Sequence, residues 1–322
     1  MIDTTEVEMF ERSVRQATER HTGEALDGAL TELGWREALA EDAYTAVSIL
    51  FPLQGAANGV SSALDQVMAT GLALQLTTEA VVLPRLGTWA PPGAVTDERV
   101  AIRGLGTQSL QHCDRAVVVA HHGGADTFTI GTVATSDVDL RPVGGMDPHF
   151  GLIEATADGV DFSSYPDGSG ATWGAAVVLA RLALSYEILG AARTVLSLAR
   201  EHALDRVQYG RPISRFQAVR HRLAEALVAI EGADAVVTAA RETPSTQLAA
   251  MAKALAGRGA LTAARHCQQV LAGIGFTAEH PFHRSFRRIL LLDQLFGSAH
   301  SLTSELGDEL LRSRRLPVLL PL

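Results

Sequence analysis

The stretch "ATWGAAVVLARLALSYEILGAARTVLSLAREHALD", residues 171–205, limits what this chain can fold into more than any other. It is rich in Ala and Leu and contains no Pro, so it reads as one long helix. Arg181, Glu187, Arg193 and Arg200 make it too polar to cross a bilayer. The turn signal "YGRPIS" ends it, and Ser214 is placed to cap a second helix that continues to about Arg241. "ETPSTQ" breaks the pattern before a third helix over residues 246–270. The glycine-rich connection "AGIGFTAEHPFHR" then leads to two more helices, over 284–296 and 298–314. Helices joined by such short connections describe an antiparallel bundle over residues 169–322.

Upstream, residues 3–20 carry apolar residues at helical spacing, and "HTGEALDGALTELGW" continues the pattern with two glycine interruptions. Residues 36–83 read as further helices, broken at "LFPLQGAANG", so 1–88 form a helical domain. From "PRLGTWAPPGAVTDERV" onward the period changes. The β-like runs "RVAIRG", "RAVVVAHH", "DTFTIGTVAT", "DLRPV" and "FGLIEATADGVDF" are separated by Gly, Pro and Asp. They predict a small antiparallel sheet within 89–168, closed by the linker signal "YPDGSGAT". The fold class is mainly α with a small β domain, in the order helices, sheet, bundle.

Composition narrows the function. With 47% hydrophobic and 20% charged residues, the chain has the balance of a soluble globular protein. A formal net charge of −9 argues against a nucleic-acid partner. Cys113 and Cys267 give neither a disulfide framework nor a zinc site, and read as reduced thiols of a cytosolic protein. No metal centre is expected. "MIDTTEVEMFERSV" is acidic and lacks the apolar region of a secretory signal, and no membrane span is expected, so the chain is placed in the cytoplasm.

Two stretches could carry chemistry. In "REHALDRVQYGRPISRFQAVRHRLAE", Arg206, Gln208 and Tyr209 sit at a helix end before the tight turn Gly210-Arg211-Pro212. A fixed cation with amide donors at a turn can hold a phosphate or pyrophosphate. Arginines also simply favour the negative end of a helix dipole, and spacing alone leaves both readings open. In "CQQVLAGIGFTAEHPFHR", Gly273 and Gly275 permit close backbone approach and Gln269 could donate to a ligand, though a plain interhelical loop would look the same. No GxGxxG opens a βαβ unit, so a Rossmann site is unsupported.

Together the two stretches are more specific. "LGAARTVLSLAREHALDRVQYGRPISRFQAVRHRLAEAL" resembles the long-helix signature of the acyl-CoA dehydrogenase family, with its Arg-x-x-Phe/Tyr-Gly-x-Pro-Ile turn and following Phe-Gln. "QVLAGIGFTAEHPFHRSFRR" is similar to that family's glycine-rich segment, and "LTELGWREALAED" to its N-terminal Leu-Gly-Trp segment. The resemblance implies helical, β and four-helix domains in that order. It implies FAD held across a subunit interface by Arg206, Gln208, Tyr209 and Gln217, with Gln269, Gly273 and Gly275 contacting it from the same dimer. Arg181 matches an arginine near the active site. The implied reaction is α,β-dehydrogenation of an acyl-CoA thioester, in which a carboxylate removes the α-proton and FAD accepts the hydride.

The sequence departs from that pattern where the chemistry should be. The family's catalytic Glu before Gly-Thr is replaced by Phe296, followed by Gly297 and Ser298. The alternative Glu position, one residue before the helix arginine, holds Ala180. Asp293 and Glu187 are nearby carboxylates, each read as a helix-surface residue unless it replaces the base. The family's Thr-Glu-x-x-x-Gly-Ser-Asp stretch and its Gly-x-Lys segment have no match between Thr88 and Ala116. These departures, taken with the resemblance, predict the shorter, non-base-bearing subunit of a heteromeric (α2β2) acyl-CoA dehydrogenase like those of steroid-degrading actinobacteria. A longer sister subunit would supply the glutamate, and an electron-transfer flavoprotein or similar acceptor would take the electrons. The alternatives are a homomeric flavoenzyme of altered chemistry and a catalytically inactive scaffold subunit.

Overall fold

The computed structural model describes residues 4–96, 99–122, 128–165 and 170–314. Four helices open the chain: α1 (Thr4–Arg20), α2 (Glu24–Glu32), α3 (Trp35–Ala57) and α4 (Ala63–Gly71). Their apolar positions recur at helical spacing, and Val14, Leu26, Leu30, Trp35 and Leu50 are buried in a common core. The break expected at "LFPLQGAANG" falls at the end of that stretch: α3 runs through Pro52 and stops at Ala57, with the left-handed Asn58 as its C-cap. A further interruption lies earlier, at Asp42, with φ −150° and ψ 90°. There the carboxylate accepts the Tyr44 and Thr45 N–H groups, both at 3.1 Å, and the Thr45 hydroxyl at 2.6 Å. Asp42 therefore acts as an internal N-cap, and helix restarts after it.

The sheet begins before residue 89, and residues 80–83 are extended rather than helical. Its strands are β1 (Ala80–Val81), β2 (Gly93–Thr96), β3 (Arg99–Gly106), β4 (Arg115–His122), β5 (Phe128–Ala134), β6 (Asp139–Pro142), β7 (Ile153–Asp161) and β8 (Ser163–Ser164). All five expected β-like runs appear as strands, although Asp126 and Thr127 lie outside the described residues. The linker signal "YPDGSGAT" also falls partly outside them, at 166–169. The strand order is β6-β7-β3-β2-β4-β5-β8, with β1 added beside β4. The sheet is mixed rather than antiparallel, because β1 and β2 both pair parallel to β4. β4 is buried on both faces. Val117 and Val119 join the helical core, while Ala116, Val118 and Ala120 meet Val82, Val100 and Ile102 in a second one. The buried run Ala80–Leu83 is short, β-branched and stopped by Pro84, so it suits this sheet better than a helix.

The expected long helix is α5 (Gly170–Asp205), 36 residues. By length and composition alone it could cross a membrane, yet 94% of its most apolar window is buried inside the protein. Small residues let α3 lie directly on it. A Cβ added at Gly190 would sit 2.0 Å from the Pro52 carbonyl oxygen, and one at Gly55 would sit 2.0 Å from that of Glu187. This contact explains why Pro52 is tolerated in mid-helix: packing outweighs the lost hydrogen bond.

A hairpin of β9 (Val207–Gln208) and β10 (Arg211–Pro212) leads to α6 (Gln217–Glu242). Ser214 is not its cap, because it lies in a 3-10 turn over Ile213–Arg215 and Phe216 precedes the helix. Next come α7 (Thr246–Leu271), α8 (Phe282–Gln294) and α9 (Ala299–Ser313). Ser245 caps α7, and Ser298 caps α9 through a capping box with Ser301.

Candidate functional site

Two places in the bundle concentrate the residues singled out by sequence. The first is the end where α5 and α7 stop. Tyr209 and Gly210 have φ of 53° and 74°, so both loop residues of the β9–β10 hairpin are left-handed, the geometry of a two-residue type I′ turn. That turn lifts Arg206, Gln208 and Tyr209 to the surface, with Tyr209 92% exposed. Phe216 ties the hairpin to α6, its ring lying 6.2 Å from that of Tyr209 and 4.4 Å from the Arg211 guanidinium. Gln217 follows at once, also exposed.

Gln269 lies exposed in the last turn of α7, and Gly273 and Gly275 belong to the 3-10 turn Ala272–Phe276. An added Cβ at Gly273 would meet nothing within 4 Å, whereas Gly275 packs against Leu271. His202, in the last turn of α5, is held below the ordinary histidine range by burial and by the charges of His280 and Arg206. The expected cofactor residues are therefore gathered at one end of the bundle.

The donor set there fits an anionic dinucleotide: a guanidinium, amide side chains and open glycine backbone. Around it stand the exposed apolar groups Val207, Ile274 and Phe276. An uncovered mixture of this kind marks a contact surface more often than a solvated one.

The second place is the turn after α8. Phe296 and Gly297 have φ of 56° and 97°, and the Phe296 side chain is 1% exposed. Two buried cations hold this left-handed pair. Arg181 Nε donates to the Phe296 carbonyl at 3.2 Å, and Lys253 Nζ donates to the carbonyls of Asp293 and Gly297, at 3.0 and 3.3 Å. Burial pushes Lys253 down to about 8 and Arg181 down to about 10. The Arg181 guanidinium also lies 5.2 Å from the ring centre of Trp89, whose indole N–H donates to Glu305 at 3.0 Å. Ala180 is fully buried beside it.

Neither candidate replacement base is a surface carboxylate. Asp293 is buried and accepts the Ala299 N–H at 3.0 Å and the Gln294 amide at 3.1 Å, so it takes up the first free N–H of α9 beside the Ser298 cap. Glu187 is buried in an ion pair with Arg288 at 3.1 Å, and Arg288 also pairs with Asp147 at 2.9 Å. Burial raises the Glu187 carboxyl, and Arg288 pulls it back. Both are committed to holding helices, and polar side chains at helical spacing gave no sign of it. Among the residues the sequence did not flag as functional, Lys253 had a signal: it is the chain's sole lysine. Trp89, Arg288 and Glu305 had none.

Residues 171–311 match the family of the acyl-CoA dehydrogenase C-terminal domain. Over its whole length the chain is similar to acyl-CoA dehydrogenase IpdE2 of Mycobacterium tuberculosis, with 30% identity over 331 residues covering 97% of this chain and 100% of that one. Among solved structures it is similar to a steroid ACAD variant, Tcur3481-Tcur3483, at TM-score 0.80 and 20% identity over 96% of this chain and 99% of that one. It is also similar to the ChsE4-ChsE5 complex of Mycobacterium tuberculosis, at TM-score 0.71 and 21% identity over 98% and 99%. At those identities the two structures share the fold. The chain belongs to the acyl-CoA dehydrogenase family.

Proposed function

We propose that this chain is the base-less subunit of a heteromeric, FAD-dependent acyl-CoA dehydrogenase acting on a bulky, steroid-derived acyl-CoA thioester. The observation that carries this reading is Phe296. A buried phenyl ring stands at the turn where the family places its glutamate, and the neighbouring carboxylates Glu187 and Asp293 are locked into structural pairs. A dehydrogenation that begins by removing an α-proton needs a carboxylate free to take it. In this reading the partner chain provides that base.

Bound FAD would supply the hydride acceptor. This chain's own part is to hold it: Arg206 by charge, Gln208, Gln217 and Gln269 by amide donors, Tyr209 by ring contact, and Gly273 and Gly275 by open backbone. Arg181 and Lys253 fix the Phe296 turn, which keeps the face toward the partner rigid. The named relatives support the reading, since one is a steroid ACAD and another a two-component complex.

The test is expression of this chain alone and together with a longer acyl-CoA dehydrogenase subunit, followed by a flavin absorbance scan. Yellow protein with about one FAD per heterodimer, obtained only on co-expression, is the expected result. A homogeneous flavoprotein made from this chain alone with dehydrogenase activity would sink the proposal.

A further inference from the structure

A cleft of about 600 Å³ lies between the first turn of α7 and the length of α9. Trp89, Ala250, Leu302, Leu306 and Leu310 form its apolar wall. Arg181, only 2% exposed, is part of the same lining, and its Nη2 has no hydrogen-bond partner. Its Nε is already used by the Phe296 carbonyl. A buried N–H left unpaired is costly, so an acceptor arriving through the cleft has a ready gain.

The charges nearby leave room for an anion. Glu309 is paired with Arg312 at 2.7 Å, and Glu305 receives the Trp89 indole N–H. Among the described residues no carboxylate lies within 4 Å of the Arg181 guanidinium, and desolvation of its charge is relieved only at a distance by Glu305. The opening of α7 adds to this. Ser245 Oγ takes the Leu248 N–H at 3.1 Å, while the Thr246 and Gln247 amides have no acceptor within the helix. A carboxylate meets a guanidinium with charge and parallel hydrogen bonds together, and the leucine wall gains by covering an aliphatic body.

We propose that this cleft binds an apolar carboxylate, its acid group against Arg181 Nη2 and its aliphatic or alicyclic body along Leu302, Leu306 and Leu310. The proposal does not depend on the flavin reading, whose residues lie at the other end of α7.

Decanoate is the probe and decanol its uncharged counterpart, each titrated calorimetrically into the purified full-length protein while tryptophan emission is followed. Decanoate is expected to bind saturably at one site per chain and to change the emission, with decanol at least about tenfold weaker. Arg181→Met is expected to weaken decanoate at least about tenfold and to abolish the preference over decanol. Should that variant fail to fold by circular dichroism, Leu306→Phe, at a half-buried wall position, decides the matter by lowering affinity for decanoate in a folded protein. Absence of saturable decanoate binding, equal binding of decanol, or unchanged affinity in the folded variants overturns the proposal. Flavin absorbance of the same preparation reads the other proposal separately.

Discussion

Asp65 shows how a single buried charge couples two parts of this molecule. It belongs to α4, is 2% exposed, and accepts hydroxyl hydrogen bonds from Thr107 at 2.6 Å and from Ser109, both beyond the end of β3. Its other oxygen has no partner, and burial pushes the carboxyl up to about 6. The folded state therefore keeps a proton that the unfolded state loses near 3.8. Between those values the folded state binds more protons, so Asp65's contribution to stability falls as pH rises from about 4 to about 6 and stays low above. Asp65→Asn keeps an acceptor for both hydroxyls and removes the charge. We expect it to stabilise the protein by about 1 kcal/mol at neutral pH and to bring no gain near pH 4. Thermal melts of both proteins at the two pH values check this. The reverse case is Arg288, which pairs with Asp147 and Glu187 in the interior. Arg288→Met strands two buried carboxylates and is expected to cost about 3–5 kcal/mol by denaturant titration.

At the scale of elements, the crossing of α3 and α5 depends on the absence of two side chains. Gly190→Ala would press a methyl group into the Pro52 carbonyl, and neither backbone can withdraw without moving a helix. Overpacking of this kind costs about 1–3 kcal/mol, and a carbonyl clash belongs at the upper end. We expect a clear fall in melting temperature for Gly190→Ala, against almost none for Gly232→Ala, whose added Cβ meets nothing within 4 Å. The same crossing shows what sequence could and could not disclose. Residues 171–205 were legible because 35 consecutive positions agree in propensity. The stop within "LFPLQGAANG" comes at Ala57 rather than at Pro52, because packing on Gly190 overrides the local rule that Pro52 obeys. Asp42 was missed because a cap inside a helix looks like any acidic residue on its surface. The hairpin end of the bundle could be read because Gly210, Pro212 and the glycines of "AGIGF" punctuate the chain where special backbone is needed. The carboxylate partners of Arg288 could not, since Asp147 lies 141 residues away and only the fold brings it there.

At the scale of the whole molecule, one end of the bundle is unfinished by its own chain. Arg206, Gln208, Gln217 and Gln269 stand exposed beside Tyr209 and Phe276, the latter 76% exposed. A monomer gains nothing from raising an aromatic ring and an arginine together on a strained two-residue turn. A cofactor and a second chain closing over them would bury the rings and pair the cation. The heteromeric reading thus makes a prediction that separates holding the flavin from doing the chemistry. In the co-purified pair, Arg206→Ala removes one charge-assisted contact to the pyrophosphate, worth about 1.5–3 kcal/mol, and should lower FAD affinity by roughly ten- to a hundredfold. Equilibrium dialysis followed by flavin absorbance measures it. Phe296→Glu restores a carboxylate at the family's position but not the missing flavin and thioester wall, and should leave turnover of the pair unchanged. Unaltered FAD affinity in Arg206→Ala would remove this end of the bundle from the cofactor site, and a rise in turnover with Phe296→Glu would mean that this chain holds a second, silenced active site of its own.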